Sequence, residues 1–202
     1  MAVPDPIAVA TGNAHKLREI ARICAGWPTT WITLQTDPSA AWPEVEETGA
    51  TYLDNARLKA HATARALGLA AIADDSGIEV DALGGEPGPR SARYAGDRAT
   101  DQDNLRQLVR AIKGVPSSGR SARYRCVAVT AWPDGREVHA EGTCEGLLIA
   151  KPRGTAGFGY DPLFVPAGWD LTIAELTDAD KDRISHRGRA FRALKDLLAP
   201  SE

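Results

Sequence analysis

Sulfur is scarce in this chain of 202 residues, which carries three cysteines, Cys24, Cys126 and Cys144, and one methionine. The cysteines are odd in number, scattered and without C-x-x-C spacing, which argues against a disulfide framework or a zinc site; they read as reduced packing residues. Long hydrophobic runs are missing too. No stretch approaches the ~18 apolar residues of a membrane span. The opening MAVPDPIAVATGN lacks the basic-then-apolar order of a secretion signal, so the expected location is the cytoplasm. An excess of one charge is also absent: 24 basic against 27 acidic residues give a formal net charge of −3. That balance excludes recruitment of nucleic acid or a membrane by a global field. Any charge that holds an anionic ligand must therefore be local. With no repeat, low-complexity tract or linker, and 43% hydrophobic content, the expectation is one domain spanning residues 1–202.

What is there is an interleaving of two periodicities. Ile7 to Ala10 is a short apolar run that breaks at Thr11, Gly12 and Asn13 and gives way to helical spacing at Leu17, Ile20, Ala21 and Cys24. A second apolar stretch covers Trp31 to Leu34. Thr51 and Asp54 form a capping-box signature ahead of Leu53, Ala56, Ala60, Ala64 and Leu67, with Gly68 as the stop. The run Ala71–Ala73 then reads as a strand ending at Asp74 and Asp75, a Ser76–Gly77 turn, and a further strand at Ile78, Val80 and Ala82. Thr100 and Asp103 start another helix. β-type sequence on both sides of Pro133, Asp134 and Gly135 predicts a hairpin, and a terminal helix carries Ala190, Leu194 and Leu197. Strands and helices mixed without strict alternation predict an α/β or α+β domain with a mixed central sheet.

Three constellations can carry chemistry. In ATGNAHKL, a strand leads through a Gly turn into a helix, which aims backbone N–H groups and a helix dipole at one spot suited to a phosphate oxyanion, with Lys16 close by. The segment has neither the Walker spacing nor a G-x-G-x-x-G turn. Its alternative reading is an ordinary turn with Asn13 as cap. Asn55 and Lys59, four apart, share a helix face; Glu44, Glu46 and Glu47 precede that helix, where a macrodipole alone also favours them. Asp74 and Asp75 at a buried strand end repel each other and lose hydration, a cost that a cation offsets, and hard oxygens beside phosphates suit Mg²⁺. One carboxylate can hold the metal while its neighbour activates water; a solvated turn is the alternative. Phe158 between glycines offers a face for stacking a base, and His186 and Arg187 offer donors.

Taken in order, ATGNAHKLREI, EETGATYLDNARLKA, AIADDSGIEVDALGGEPGPRSARYAG, GFGYDPLF and ISHRGRA resemble the non-canonical purine nucleoside triphosphate pyrophosphatases, the inosine/xanthosine triphosphate (dITP/XTP) pyrophosphatase family, over nearly the whole chain. The resemblance implies an elongated mixed β-sheet flanked by helices, two lobes with a central active-site cleft, a homodimer, and Mg²⁺-dependent conversion of ITP, dITP or XTP to the monophosphate and pyrophosphate. It implies a triphosphate loop of Thr11, Gly12, Asn13, Ala14, His15 and Lys16, and a phosphate lysine at Lys59. Glu47, Asp74 and Asp75 match the metal group, with Asp75 as general base and Ser76 as a substrate contact. Phe158, Gly159, Tyr160 and Asp161 match the nucleoside loop, Lys181 a substrate lysine, and His186 with Arg187 the base readers. Relatives commonly carry Gly where this chain has His15, and a left-handed backbone there would strain a histidine.

Hydrogen-bond polarity then accounts for base choice. Inosine and xanthine present an acceptor at position 6 to Arg187 or backbone N–H, whereas adenine presents a donor, and a desolvated unpaired donor costs about 1–3 kcal/mol. Two other readings stand beside this one: a purine nucleotide sensor without turnover, and an aspartate-nucleophile phosphatase, whose D-x-D-x-[TV] spacing is missing. No nucleic-acid or membrane partner is expected.

Overall fold

The computed structural model describes residues 3–199; the two ends of the domain expected over 1–202 lie outside the described residues. Six strands form one mixed sheet: β1 (Ile7–Val9), β2 (Trp31–Ile32), β3 (Ala70–Val80), β4 (Ser121–Ala131), β5 (Glu137–Leu148) and β6 (Phe164–Pro166), in the order β2-β1-β3-β4-β5-β6. β1 is parallel to both β2 and β3, and β5 is antiparallel to β6. The helices are α1 (Ala14–Ile23), α2 (Tyr52–Leu67), α3 (Asp101–Ala111), α4 (Asp178–Ile184) and α5 (His186–Leu198). The α/β architecture with a mixed sheet follows the sequence expectation.

Local chemistry explains the element ends. Thr51 and Thr100 each accept from the amide three residues on, and Asp54 and Asp103 answer with their carboxylates, completing both capping boxes. Gly68 stops α2 at φ 66°, a left-handed cap that glycine adopts without steric penalty. The Trp132 N–H to Arg136 carbonyl bond closes the β4–β5 connection around Pro133–Gly135.

Contacts divide the chain into two compact units, one of residues 1–75, 126–142 and 187–202, the other of residues 76–125 and 143–186. In the first unit, strand alternation builds two apolar layers. Ile7, Val9, Ala70, Ile72, Cys126 and Ala128 pack with Ile20 of α1 and with Ala190, Phe191, Leu194 and Leu198 of α5. Ala8, Ala10, Ala71, Ala73, Val127 and Val129 pack with Ala56, Ala60 and Ala64 of α2. In the second unit Ile78, Val80, Ala122, Tyr124, Cys144 and Leu148 pack with Leu105 and Leu108 of α3 and with Phe164.

Three local expectations are corrected. Asp74 to Gly77 is not a strand end and turn: β3 runs unbroken from Ala70 to Val80, because the polar side chains find partners without interrupting the extended backbone. The apolar stretch at Trp31–Leu34 yields a strand of only two residues, and Leu34 is exposed. Leu197 is half exposed while Leu198 is buried, since the apolar stripe of α5 follows Ala190, Phe191, Leu194 and Leu198.

Candidate active site

The unbroken course of β3 answers why two carboxylates stand side by side. Successive strand residues face opposite sides, so Asp74 shares the face of Ala70 and Ile72, under α1 and α5, and Asp75 shares the face of Ala71 and Ala73, under α2. Their partners divide accordingly.

Asp74 is 1% exposed. Its Oδ2 accepts from Nε and Nη2 of Arg187 at 3.2 and 2.9 Å, and Lys16 Nζ stands 3.3 Å away. Arg187, itself 1% exposed, also donates through Nη1 to Glu19 Oε2 at 2.5 Å. Burial alone would raise the Asp74 carboxyl, but Arg187, Lys16 and Lys59 together hold it well below the usual carboxylate range. The Cys126 thiol lies 3.7 Å from Asp74 Oδ2, and burial with that negative neighbour pushes it far up.

Asp75 faces another set. Asn55 Nδ2 donates to its Oδ2 at 3.1 Å, and Lys59 Nζ stands 3.9 Å from its Oδ1 while donating to Glu47 Oε1 at 2.7 Å and to the Asp74 carbonyl at 2.8 Å. One helical turn separates Asn55 from Lys59, so both reach the same carboxylate. Burial raises the Asp75 pKa; Lys59 and Lys16 pull part of it back and Glu47 adds to the rise. Burial would lower Lys59, yet Asp75, Glu47 and Asp74 overcome it and raise the ammonium.

The loop into α1 is set by Asn13, whose Oδ1 accepts from the N–H groups of His15 at 2.9 Å and Lys16 at 3.2 Å, while Asn13 N–H donates to Thr11 Oγ1 at 3.2 Å. This turns the first helical turn so that Lys16 reaches Asp74. Ala14 and His15 are already helical, and no residue other than glycine among those described has a positive φ, so the strain expected of His15 does not arise. Its ring instead meets the Arg18 guanidinium at 2.9 Å.

The second unit gathers the remaining expected residues. Asp161 Oδ2 accepts from the Phe158 N–H at 3.0 Å and from Lys181 Nζ at 2.6 Å, and its Oδ1 accepts from Tyr124 Oη at 3.1 Å. Lys181 Nζ lies 5.2 Å from the centre of the half-buried Phe158 ring. Gly159 N–H donates to Asp101 Oδ2, and Tyr160 Oη to the Ser91 carbonyl. His186 is buried against Tyr124, ring to ring at 4.6 Å and 8°. Ser76 follows Asp75 along β3 and is half-buried.

Set against the sequence reading, Lys16, Lys59, Glu47, Asp74 and Asp75 come together in the first unit, and Phe158 to Asp161, Lys181 and His186 in the second. Arg187 differs: its donors are occupied by Asp74 and Glu19, so it belongs to the carboxylate set and not with His186. Sequence reasoning did not single out Glu19 or Tyr124. The signal for Glu19 was a lone carboxylate three residues after Lys16, beside Ile20 on the apolar side of α1.

The donor chemistry is that of a hard cation. Glu47 and Asp75 present carboxylate oxygens around Lys59, and Asp74 Oδ1 is buried without a hydrogen-bond partner. Among the described residues no three His, Cys, Asp or Glu side chains form a ready metal cage. Glu47 and Asp75 would suit an ion that keeps its waters and uses one or two protein carboxylates.

The Ham1 family model matches residues 7–197. A dITP/XTP pyrophosphatase of Geobacter sulfurreducens is 46% identical over 192 residues, covering 95% of this chain and 96% of that relative. One of Thioalkalivibrio sulfidiphilus is 48% identical over 194 residues, covering 95% and 97%. Among solved structures, a HAM1 protein from Coxiella burnetii superposes with a TM-score of 0.86 at 36% identity, covering 98% of this chain and all of that one. With that agreement in sequence and in fold, this chain belongs to the Ham1 family.

Proposed function

We propose that the protein hydrolyses non-canonical purine nucleoside triphosphates, ITP, dITP and XTP, to the monophosphate and pyrophosphate. The observation that carries this reading is Asp75, a buried carboxylate held by Asn55 and faced by Lys59 and Glu47, in a chain whose relatives bear the name dITP/XTP pyrophosphatase. Water adds across the phosphoanhydride bond between the α and β phosphates. Asp75 takes the water proton, and its raised pKa makes it a stronger base than a free aspartate. Lys16 and Lys59 stabilise the charge that develops on phosphate oxygens, and Asn55 fixes the Asp75 carboxylate in one orientation. Glu47 and Asp75 would hold Mg²⁺, which when bound neutralises phosphate charge and lowers the pKa of coordinated water.

The triphosphate is assigned to the residues from Thr11 to Lys16 with Lys59, and the base to Phe158, Lys181 and His186. Phe158 supplies stacking, and a donor from the His186 ring or the Tyr160 N–H meets the position-6 oxygen that separates these substrates from adenine. With Arg187 engaged elsewhere, these donors take over the role expected of it. The proposal includes a homodimer in the cytoplasm; no helix among the described residues is long and apolar enough to cross a membrane.

A product assay across ITP, dITP, XTP, GTP and ATP, with Mg²⁺ or EDTA and with Asp75→Asn alongside, tests it. Pyrophosphate from the first three, lost in EDTA and in the variant, is expected. Release of orthophosphate would favour the aspartate-nucleophile alternative, and binding without turnover the sensor.

A further inference from the structure

Tyr124 has no place in the proposed chemistry, yet it touches His186, which is assigned to the base, and Asp161, which holds Lys181 and the Phe158 N–H. On β4 the residues Ala122 and Tyr124 point into the core of the second unit, while Arg123 and Arg125 lie on the other face with Glu79, Asp81 and Glu145. The phenol is therefore held in a packed apolar layer, with Phe164 edge-on at 4.9 Å. From there the ring lies flat on His186, and its hydroxyl ends on Asp161.

Each contact restrains a different freedom. An imidazole buried in the first turn of a helix can rotate about χ2, and a parallel aromatic plane at 4.6 Å selects one ring orientation. A carboxylate can likewise turn about its last torsion. Asp161 needs one oxygen to serve both the Phe158 N–H and Lys181 Nζ, and the Tyr124 hydroxyl on the other oxygen pins that choice. Gly157 shows how little slack there is: a Cβ added to it would run into Asp161 Oδ2.

We propose that Tyr124 is a positioning residue for base recognition, whose ring sets the plane of His186 and whose hydroxyl locks the Asp161 carboxylate that orients Lys181 and the Phe158 loop. The proposal rests on assigning the base to Phe158, Lys181 and His186. A residue acting through these groups supports binding that is equal in ground and transition states, so it moves KM and leaves kcat alone.

The test compares Tyr124→Phe, Tyr124→Leu and Phe158→Ala by steady-state kinetics with ITP and by the ring-proton NMR shifts of His186. Tyr124→Phe keeps the stack and loses one hydrogen bond, so KM rises roughly 3- to 10-fold with kcat within about twofold and the His186 shifts unchanged. Tyr124→Leu adds loss of the ring-current shift at His186 and a further rise in KM. Should Tyr124→Leu not fold, the Phe variant carries the test alone. If Phe158→Ala raises KM while Tyr124→Phe leaves it unchanged, the role of Tyr124 is refuted. If Phe158→Ala leaves KM unchanged, the base assignment itself fails, and the proposal with it.

Discussion

Replacing Arg187 by Met removes the cation around which two buried carboxylates are arranged, and the structure says how large the effect must be. The guanidinium makes two hydrogen bonds to Asp74 and one to Glu19, with the Asp74 side chain wholly buried and that of Glu19 nearly so. In the variant Lys16, at 3.3 Å from Asp74, and Lys59 are the nearby cations that remain. Breaking a buried pair from one side costs about 3–5 kcal/mol. With an unfolding entropy of ~2.1 cal/mol/K per residue, a chain of 202 residues loses roughly 7–12 °C in Tm. The pH dependence has a definite sign. The native Asp74 carboxyl is held far down, so the stability it contributes is present above the ordinary aspartate pKa and declines as pH falls below it. The difference between wild type and Arg187→Met is therefore full at neutral pH and shrinks below about pH 4. Thermal melts followed by circular dichroism at pH 7 and pH 3.5 read both quantities. Glu19→Gln supplies the decisive comparison: it destabilises the wild type but recovers stability in Arg187→Met, where it removes a stranded charge. An equal effect of Glu19→Gln in both backgrounds would refute the coupling.

Asp75→Asn should behave in the opposite way from a broken ion pair. Because burial raises the native Asp75 pKa, its stabilising contribution is complete at low pH and lost as pH rises through that value, so in EDTA the Asn variant gains Tm over wild type between pH 4 and 7. A lower Tm at pH 7 would contradict this. The buried thiols Cys24 and Cys126, the former pushed up to about 12 by burial, should resist iodoacetamide at pH 8 in the native protein and react once it is denatured. Rapid native alkylation of either, seen by mass spectrometry, would disprove it.

Much of the site was legible because its signals are local. Capping boxes, the Gly68 stop and the Asn55–Lys59 face each lie within one or two helical turns, where spacing alone fixes geometry. The course of β3 was not legible: Asp-Asp-Ser-Gly carries turn chemistry, and only the helix layers on both faces keep it extended. The partners of Arg187 stand 113 and 168 residues away in sequence, so the choice between carboxylates and a base could not be read from the motif that contains it. Tyr124 was hidden for the same reason, as an aromatic on a strand reads as core until its hydroxyl is seen to end on Asp161.

The alternation along β3 gives a dyad of identical side chains a polarity. Because each aspartate answers to a different helix layer, the two are not interchangeable copies: position 74 is wired to the integrity of the scaffold and position 75 to the proposed chemistry. A one-residue slip of this strand would exchange those assignments without altering composition. The same chemical edit, Asp to Asn, made one peptide bond apart, should therefore yield a less stable protein in the first case and a sturdier but silent one in the second.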